Sequence, residues 1–333
     1  MVEKQSRHYH DLKFITTILV VLAHASRMYT GVGVVKPLLS SSDLSNLTKV
    51  IYAFHMPLFI AISGMVYGYC IDNRGKYQNT LRFLGKKAVR LLIPYYFFGL
   101  FYVAPVVCYF GIAHRSYLDC CINDILLALN PRHLWFLLVL FEIFVLCAFL
   151  KKPFQKLFFV IPLAVFLVMA YNAKRVPIYF QLQKLMVYPL YFYLGYLLNK
   201  HYARIMRVLS HPCTWIVLLA AARLAYPYRN QTTGGILTAV SAGCLVVGMT
   251  CHLPKRFSEN RFVKAANKNG FGIFLFHAMI IYALYYYLGK YPVHPLFLCF
   301  GIAVAAYFAS WLLTVVFRRL RLGVLIGEPI NRK

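Results

Sequence analysis

The chain has 333 residues, of which 61% are hydrophobic, 17% aromatic and only 14% charged, and this excludes a soluble globular domain. Lys and Arg outnumber Asp and Glu 36 to 9, giving a formal charge of +27. On a soluble chain that excess would suggest nucleic acid, so its distribution has to decide.

Apolar windows long enough to cross a bilayer fall near residues 14–30, 50–70, 91–111, 133–150, 157–172, 182–199, 212–228, 234–252, 270–288 and 295–317. They predict an all-α integral membrane protein of about ten transmembrane helices. It forms one polytopic domain over residues 1–333 with no separate soluble domain. No n-region, short h-region and cleavage site precede the first window, so it reads as an uncleaved first helix. With the connecting segments assigned to alternating sides, 25 of the 36 Lys and Arg fall on the side that holds both termini. The positive-inside rule places both termini in the cytoplasm, as in a multi-pass protein of a bacterial inner or plasma membrane. The basic charge is then a topology signal, and a nucleic-acid partner is excluded.

In the first span Lys13 is followed by ten uncharged residues and then His24. At 1.5 Å per residue the imidazole lies roughly 16 Å from Lys13, near mid-membrane in a core of about 30 Å. An ionisable group there marks a functional site unless a neighbouring helix satisfies it. The second span carries His55 ahead of Pro57, and then Ser63-Gly64 and Gly68, small residues suited to close helix packing. His55 could meet an acceptor near the outer face or serve as a structural cap. Arg82, Lys86, Lys87 and Arg90 lead into the third span; Lys87 and Arg90 share a helix face. The fourth span enters at His133 with Trp135, either an interfacial ring or a stacking surface for a sugar, and carries Glu142 nine residues in. Equal depth makes a Glu142–His24 contact sterically reasonable, provided their helices are neighbours. His277, in the ninth span nearer the inner face, is a weaker candidate for the site and reads first as structural.

The 9 cysteines show no metal-ligand spacing and no disulfide framework. Asn46-Leu-Thr48 and Asn230-Gln-Thr232 are sequons of a kind that arises by chance. There is no G-x-S-x-G elbow and no acidic metal cluster, so neither a serine hydrolase nor a metal site is expected.

Five segments together resemble one known family. Lys13 with ten residues and His24 is similar to the basic-x10-His opening of the membrane acyltransferase-3 family. Phe54-His-Met-Pro-Leu-Phe59…Ser63-Gly64 resembles its second-span helix, and Lys86-Lys-Ala-Val-Arg90 its R-x-x-R segment. His133-Leu-Trp-Phe-Leu and Gly272-Ile-Phe-Leu-Phe-His277 resemble two later signatures. The matches run in family order from residue 11 to residue 277, and the overall look is that of fucose 4-O-acetylase-like members. Lysine stands at 13 and 87 where the family has arginine, which keeps the charge but loses the bidentate fork.

The resemblance implies an O-acetyltransferase that takes acetyl-CoA as donor, without a metal, and acylates a hydroxyl of an envelope carbohydrate or lipid-linked glycan. His24 would be the base or carry the acyl group transiently, and the depth argument, apart from the resemblance, offers Glu142 as its orienting carboxylate. Lys13, Lys87 and Arg90 would hold the coenzyme phosphates, and His55 and Trp135 would meet the acceptor. A polytopic transporter or flippase of a glycan precursor is the competing reading, since buried ionisable groups occur there too.

Overall fold

The computed structural model describes residues 2–31, 35–76, 78–156 and 160–329. Its ten principal helices are α1 (Val2–Ser26), α2 (Ser42–Gly68), α3 (Thr80–Phe98), α4 (Trp135–Lys156), α5 (Val160–Asn172), α6 (Leu182–Lys200), α7 (Pro212–Ala225), α8 (Thr232–Thr250), α9 (Arg261–Leu288) and α10 (Pro295–Arg319). The described residues contain no strand and no separate soluble domain. Helix starts follow local chemistry. Ser41 and Asn79 accept from the backbone N–H of Leu44 and Arg82, and prolines open α7 and α10.

Each helix overlaps a predicted span, but ten proves an approximate number. Among the described residues seven stretches are long and apolar enough to cross a membrane, and an eighth would join Tyr202–Leu209 to Pro212–Tyr228 across an 81° bend. The predicted spans at 157–172 and 182–199 do not qualify. Helix α5 has 13 residues, and residues 157–159 of that span lie outside the described ones. Helix α6 carries Tyr188, Tyr191, Tyr193 and Tyr196 beside Gln183 and Lys184, which lowers its hydropathy. It nevertheless runs from one end of the bundle to the other. Gln181 at its start donates to the Ala128 carbonyl, and Asn199 near its end accepts from Gln5 and Tyr9. A helix lined mostly by protein can carry tyrosines that a lipid-facing one would not.

The first span needs a larger correction. Helix α1 begins at Val2, not at residue 14, so Lys13 lies mid-helix and His24 in the last turn. Hydropathy missed the amino-terminal half because it is polar, yet Gln5, His8, Tyr9 and Asp11 are buried there and find polar partners. Gln5 donates to Asn199 at 2.8 Å, His8 pairs with Tyr202 at 2.9 Å and Thr250 at 2.9 Å, and Asp11 accepts from Ser258 at 2.5 Å.

Those contacts also align the helix ends. The start of α1 meets the ends of α6 and α8, while Arg318 at the end of α10 binds Asn269 of α9 and Glu328 near the carboxyl terminus. Both described termini therefore share one end of the bundle, the end where the basic residues gather, as the positive-inside rule expects. At the other end Thr48 donates to Ser26, and Tyr29 to the Pro295 carbonyl.

Helix α2 packs most extensively on α6, and glycine is the reason. A Cβ on Gly64 would collide with the Phe192 carbonyl, and one on Gly195 with that of Ala61. The predicted small-residue face of α2 is a backbone-to-backbone contact. Helix α1 lies against α2, α8, α9 and α10, and α3 lies against α4. A cavity opens among α1, α2, α3, α4 and α9.

Candidate active site

The cavity measures about 240 Å³. Its polar wall is Lys13 from α1 with Lys87 and Arg90 from α3; Phe59, Tyr67, Leu140, Phe144 and Phe274 supply much of the rest. The three cations predicted to act together are thus brought together. Lys13 Nζ donates to the Asn267 carbonyl at 3.3 Å. The Lys87 ammonium sits 3.9 Å from the centre of the Phe144 ring, and the Arg90 guanidinium 5.6 Å from that of Phe271. Among the described residues neither Lys13 nor Arg90 forms an ion pair. No carboxylate is among the described residues that line the cavity, and like charges gathered there repel one another, so the lining is complementary to an anion.

The carboxyl-terminal turn closes one side of this group. Gly327, in the left-handed region at φ 72°, lies against the Arg90 carbonyl and the Phe271 ring. Any side chain there would strain the backbone and displace Phe271.

Three phenylalanines end the cavity. The rings of Phe59 and Phe136 are 5.1 Å apart, Phe136 and Phe274 5.4 Å, and Phe59 and Phe274 6.3 Å. Beyond them stand three histidines. Phe274 is 5.7 Å from His133 and 5.9 Å from His277. His277 is 4.9 Å from His24, His133 is 5.4 Å from His277, and His24 and His133 are 6.4 Å apart, all between ring centres.

One turn of α9 fixes two of these rings. His277 Nδ1 lies 2.8 Å from the Phe274 carbonyl and 3.1 Å from that of Ile273, while His133 Nε2 lies 3.0 Å from the Leu275 carbonyl. A carbonyl can only accept, so those nitrogens carry the protons and the opposite ones are bare lone pairs. His277 Nε2, His133 Nδ1 and His24 Nδ1 are buried without a partner. Each such atom costs about 1–3 kcal/mol until a donor reaches it. Fixed acceptors without donors suit a hydroxyl-bearing ligand. The loop before His133 is itself constrained, with Ala128 and Arg132 at φ 53° and 51°.

A family model for the acyltransferase domain of acyltransferase-3 proteins matches residues 8–315. The chain belongs to the membrane acyltransferase-3 family. No curated protein and no solved structure matches it significantly. The match takes in every residue that lines the cavity, so basic pocket and histidines lie within the matched acyltransferase domain.

Within this membrane acyltransferase the other predicted site residues fall apart. Glu142 makes no hydrogen bond to His24, and its Oε2 is buried without a partner. On α4 it stands about 200° around the helix from Leu140 and Phe144, which face the cavity. The carboxylate expected beside His24 is replaced there by His277 and His133. Trp135 shares the Glu142 face and meets Tyr188 of α6 at 4.9 Å and the Lys184 ammonium at 4.8 Å, away from the histidines. His55 donates to the Ile51 carbonyl at 2.8 Å and lies 4.8 Å from Tyr52, whose ring is 6.1 Å from His24. His55 is therefore a neighbour of the cluster at one remove. Sequence reasoning assigned no role to His133 and a structural one to His277. Their only signal was that each sits inside a family-like motif.

Proposed function

We propose that this membrane acyltransferase moves an acetyl group from acetyl-CoA to a hydroxyl of an envelope carbohydrate or lipid-linked glycan. The observation that carries the reading is one continuous arrangement: a cation-lined cavity at the terminal end of the bundle, then a phenylalanine barrier, then three buried histidines. Lys13, Lys87 and Arg90 suit the pyrophosphate and 3′-phosphate of coenzyme A arriving from the cytoplasm. Lys13 and His24 are eleven residues apart on one helix, about 16 Å, a separation of the order of an extended pantetheine arm. The thioester would pass Phe59, Phe136 and Phe274 to reach His24, and these rings keep water from the activated acyl group.

His24 acts as the base. It takes the proton of the acceptor hydroxyl as its oxygen attacks the thioester carbonyl, and returns it to the departing thiolate sulfur when the C–S bond breaks. The acceptor reaches the histidines from the outer half, and the enzyme works in the plasma or inner membrane.

The test is purified protein in nanodiscs with radiolabelled acetyl-CoA and a glycan acceptor. Acceptor-dependent release of coenzyme A thiol, lost in His24→Ala, is the expected result. Transport of the glycan with no thiol release above empty nanodiscs would replace this reading with the transporter one.

A further inference from the structure

Three buried ring nitrogens without partners, two of them fixed as acceptors, are more than a single reacting hydroxyl can fill. His24 needs one hydroxyl proton for the transfer. His277 Nε2 and His133 Nδ1 remain, each locked as an acceptor because α9 carbonyls hold the opposite ring nitrogen. The rings stand 4.9 and 5.4 Å apart in sequence from His24 to His277 to His133. No carboxylate or amide shares the cluster, and no group of three metal-binding side chains occurs among the described residues.

We propose that His277 and His133 are specificity residues that recognise a second hydroxyl beside the one being acylated, so that the acceptor must be a vicinal diol. The inference rests on the acyl-transfer reading above. The reacting hydroxyl gives its proton to His24 and forms the new C–O bond, and the proton leaves with the thiol. The neighbouring hydroxyl points its single O–H between His277 Nε2 and His133 Nδ1 as a three-centre hydrogen bond and does not give up that proton. A mono-alcohol leaves those two nitrogens buried and bare, and a site built to bond a hydroxyl strongly rejects an analogue that lacks it.

Asparagine and glutamine can separate recognition from support. At 277, Gln sets an acceptor oxygen at the place of Nε2, whereas Asn keeps only the donor toward the Ile273 and Phe274 carbonyls. At 133 the roles reverse: Asn restores the Nδ1 acceptor, and Gln keeps only the donor toward Leu275. Acetyl transfer in nanodiscs is measured on methyl β-D-gluco-, galacto- and mannopyranoside and on tetrahydropyran-3-ol and tetrahydropyran-4-ol.

The unaltered protein is expected to favour its best pyranoside over either mono-alcohol by at least about 10²-fold in kcat/KM. His277→Gln and His133→Asn retain most of that preference. His277→Asn and His133→Gln lose at least about 10-fold on the pyranoside and nothing on the mono-alcohols. Merely structural histidines would give the reverse order, falling equally on both acceptor classes, and that result overturns the proposal. Transfer by the unaltered protein without preference overturns it too while leaving the acyltransferase reading intact. No transfer to any of the five acceptors overturns both.

Discussion

Lys87→Ala gives the sharpest test of the donor cavity. The ammonium lies in a half-buried site beside Phe144, where water screens it poorly. A charge-assisted hydrogen bond to phosphate in such a place contributes about 1.5–3 kcal/mol, or a roughly 10- to 150-fold rise in KM for acetyl-CoA. Arg90 is exposed, so its contribution is nearer 1 kcal/mol, and Arg90→Ala should raise KM only about 5-fold. The loss in Arg90→Ala should shrink further as salt rises, because the Debye length falls from about 10 Å at 0.1 M to about 3 Å at 1 M. In both variants kcat at saturation stays within about 3-fold of the unaltered protein, since a remote phosphate is bound equally in ground and transition states. Thiol release is titrated with acetyl-CoA and, in parallel, with acetyl-pantetheine, which carries no phosphate. Neither substitution should change the KM for acetyl-pantetheine. An equal rise for both donors, or a fall in kcat with KM unchanged, refutes the assignment of these cations to the coenzyme phosphates.

Three further outcomes follow from the geometry. His24→Ala should abolish transfer while the protein still inserts and elutes as the unaltered chain on size exclusion; substantial residual turnover would remove His24 from the chemistry. Glu142→Gln should keep turnover within about 3-fold, because the carboxylate stands on another face of α4 and touches no histidine; a loss near 10²-fold would restore the expected dyad. Gly195→Ala should lower the thermal midpoint in detergent sharply, with a cost of about 3 kcal/mol or more, because the new methyl meets a backbone carbonyl that cannot step aside. An unchanged midpoint would show that the α2–α6 contact is looser than the glycines indicate.

Much of this was legible in the sequence for a physical reason. Hydrocarbon demands uniform apolarity over a fixed length, so α2, α9 and α10 announce themselves. The same rule fails wherever protein takes the place of lipid. The polar half of α1 is hidden among Asn199, Tyr202, Thr250 and Ser258, and the tyrosines of α6 are hidden against α2 and α5. The cation trio was readable because Lys87 and Arg90 share a face and Lys13, two spans earlier, belongs to the same side of the membrane. The histidine cluster was not. His24, His133 and His277 are more than a hundred residues apart from one to the next, and only helix packing makes them neighbours. Glu142 was misjudged because equal depth says nothing about azimuth: two residues at one level can face opposite sides of their helices.

The glycine contact between α2 and α6 has a mechanical consequence. Two helices that meet backbone to backbone at Gly64 and Gly195 cannot part by a methyl's width without losing the fit, so α2, braced from behind by α6, is a rigid wall of the cavity. The wall that carries Lys87 and Arg90 is α3. Helix α3 has slack built in: Pro94 lies inside it, and a wide π-helical turn follows at Gly99–Val103. Swelling of the cavity would bend α3, and Lys87 and Arg90, two of the three cations proposed to hold the donor, would ride on the part that moves.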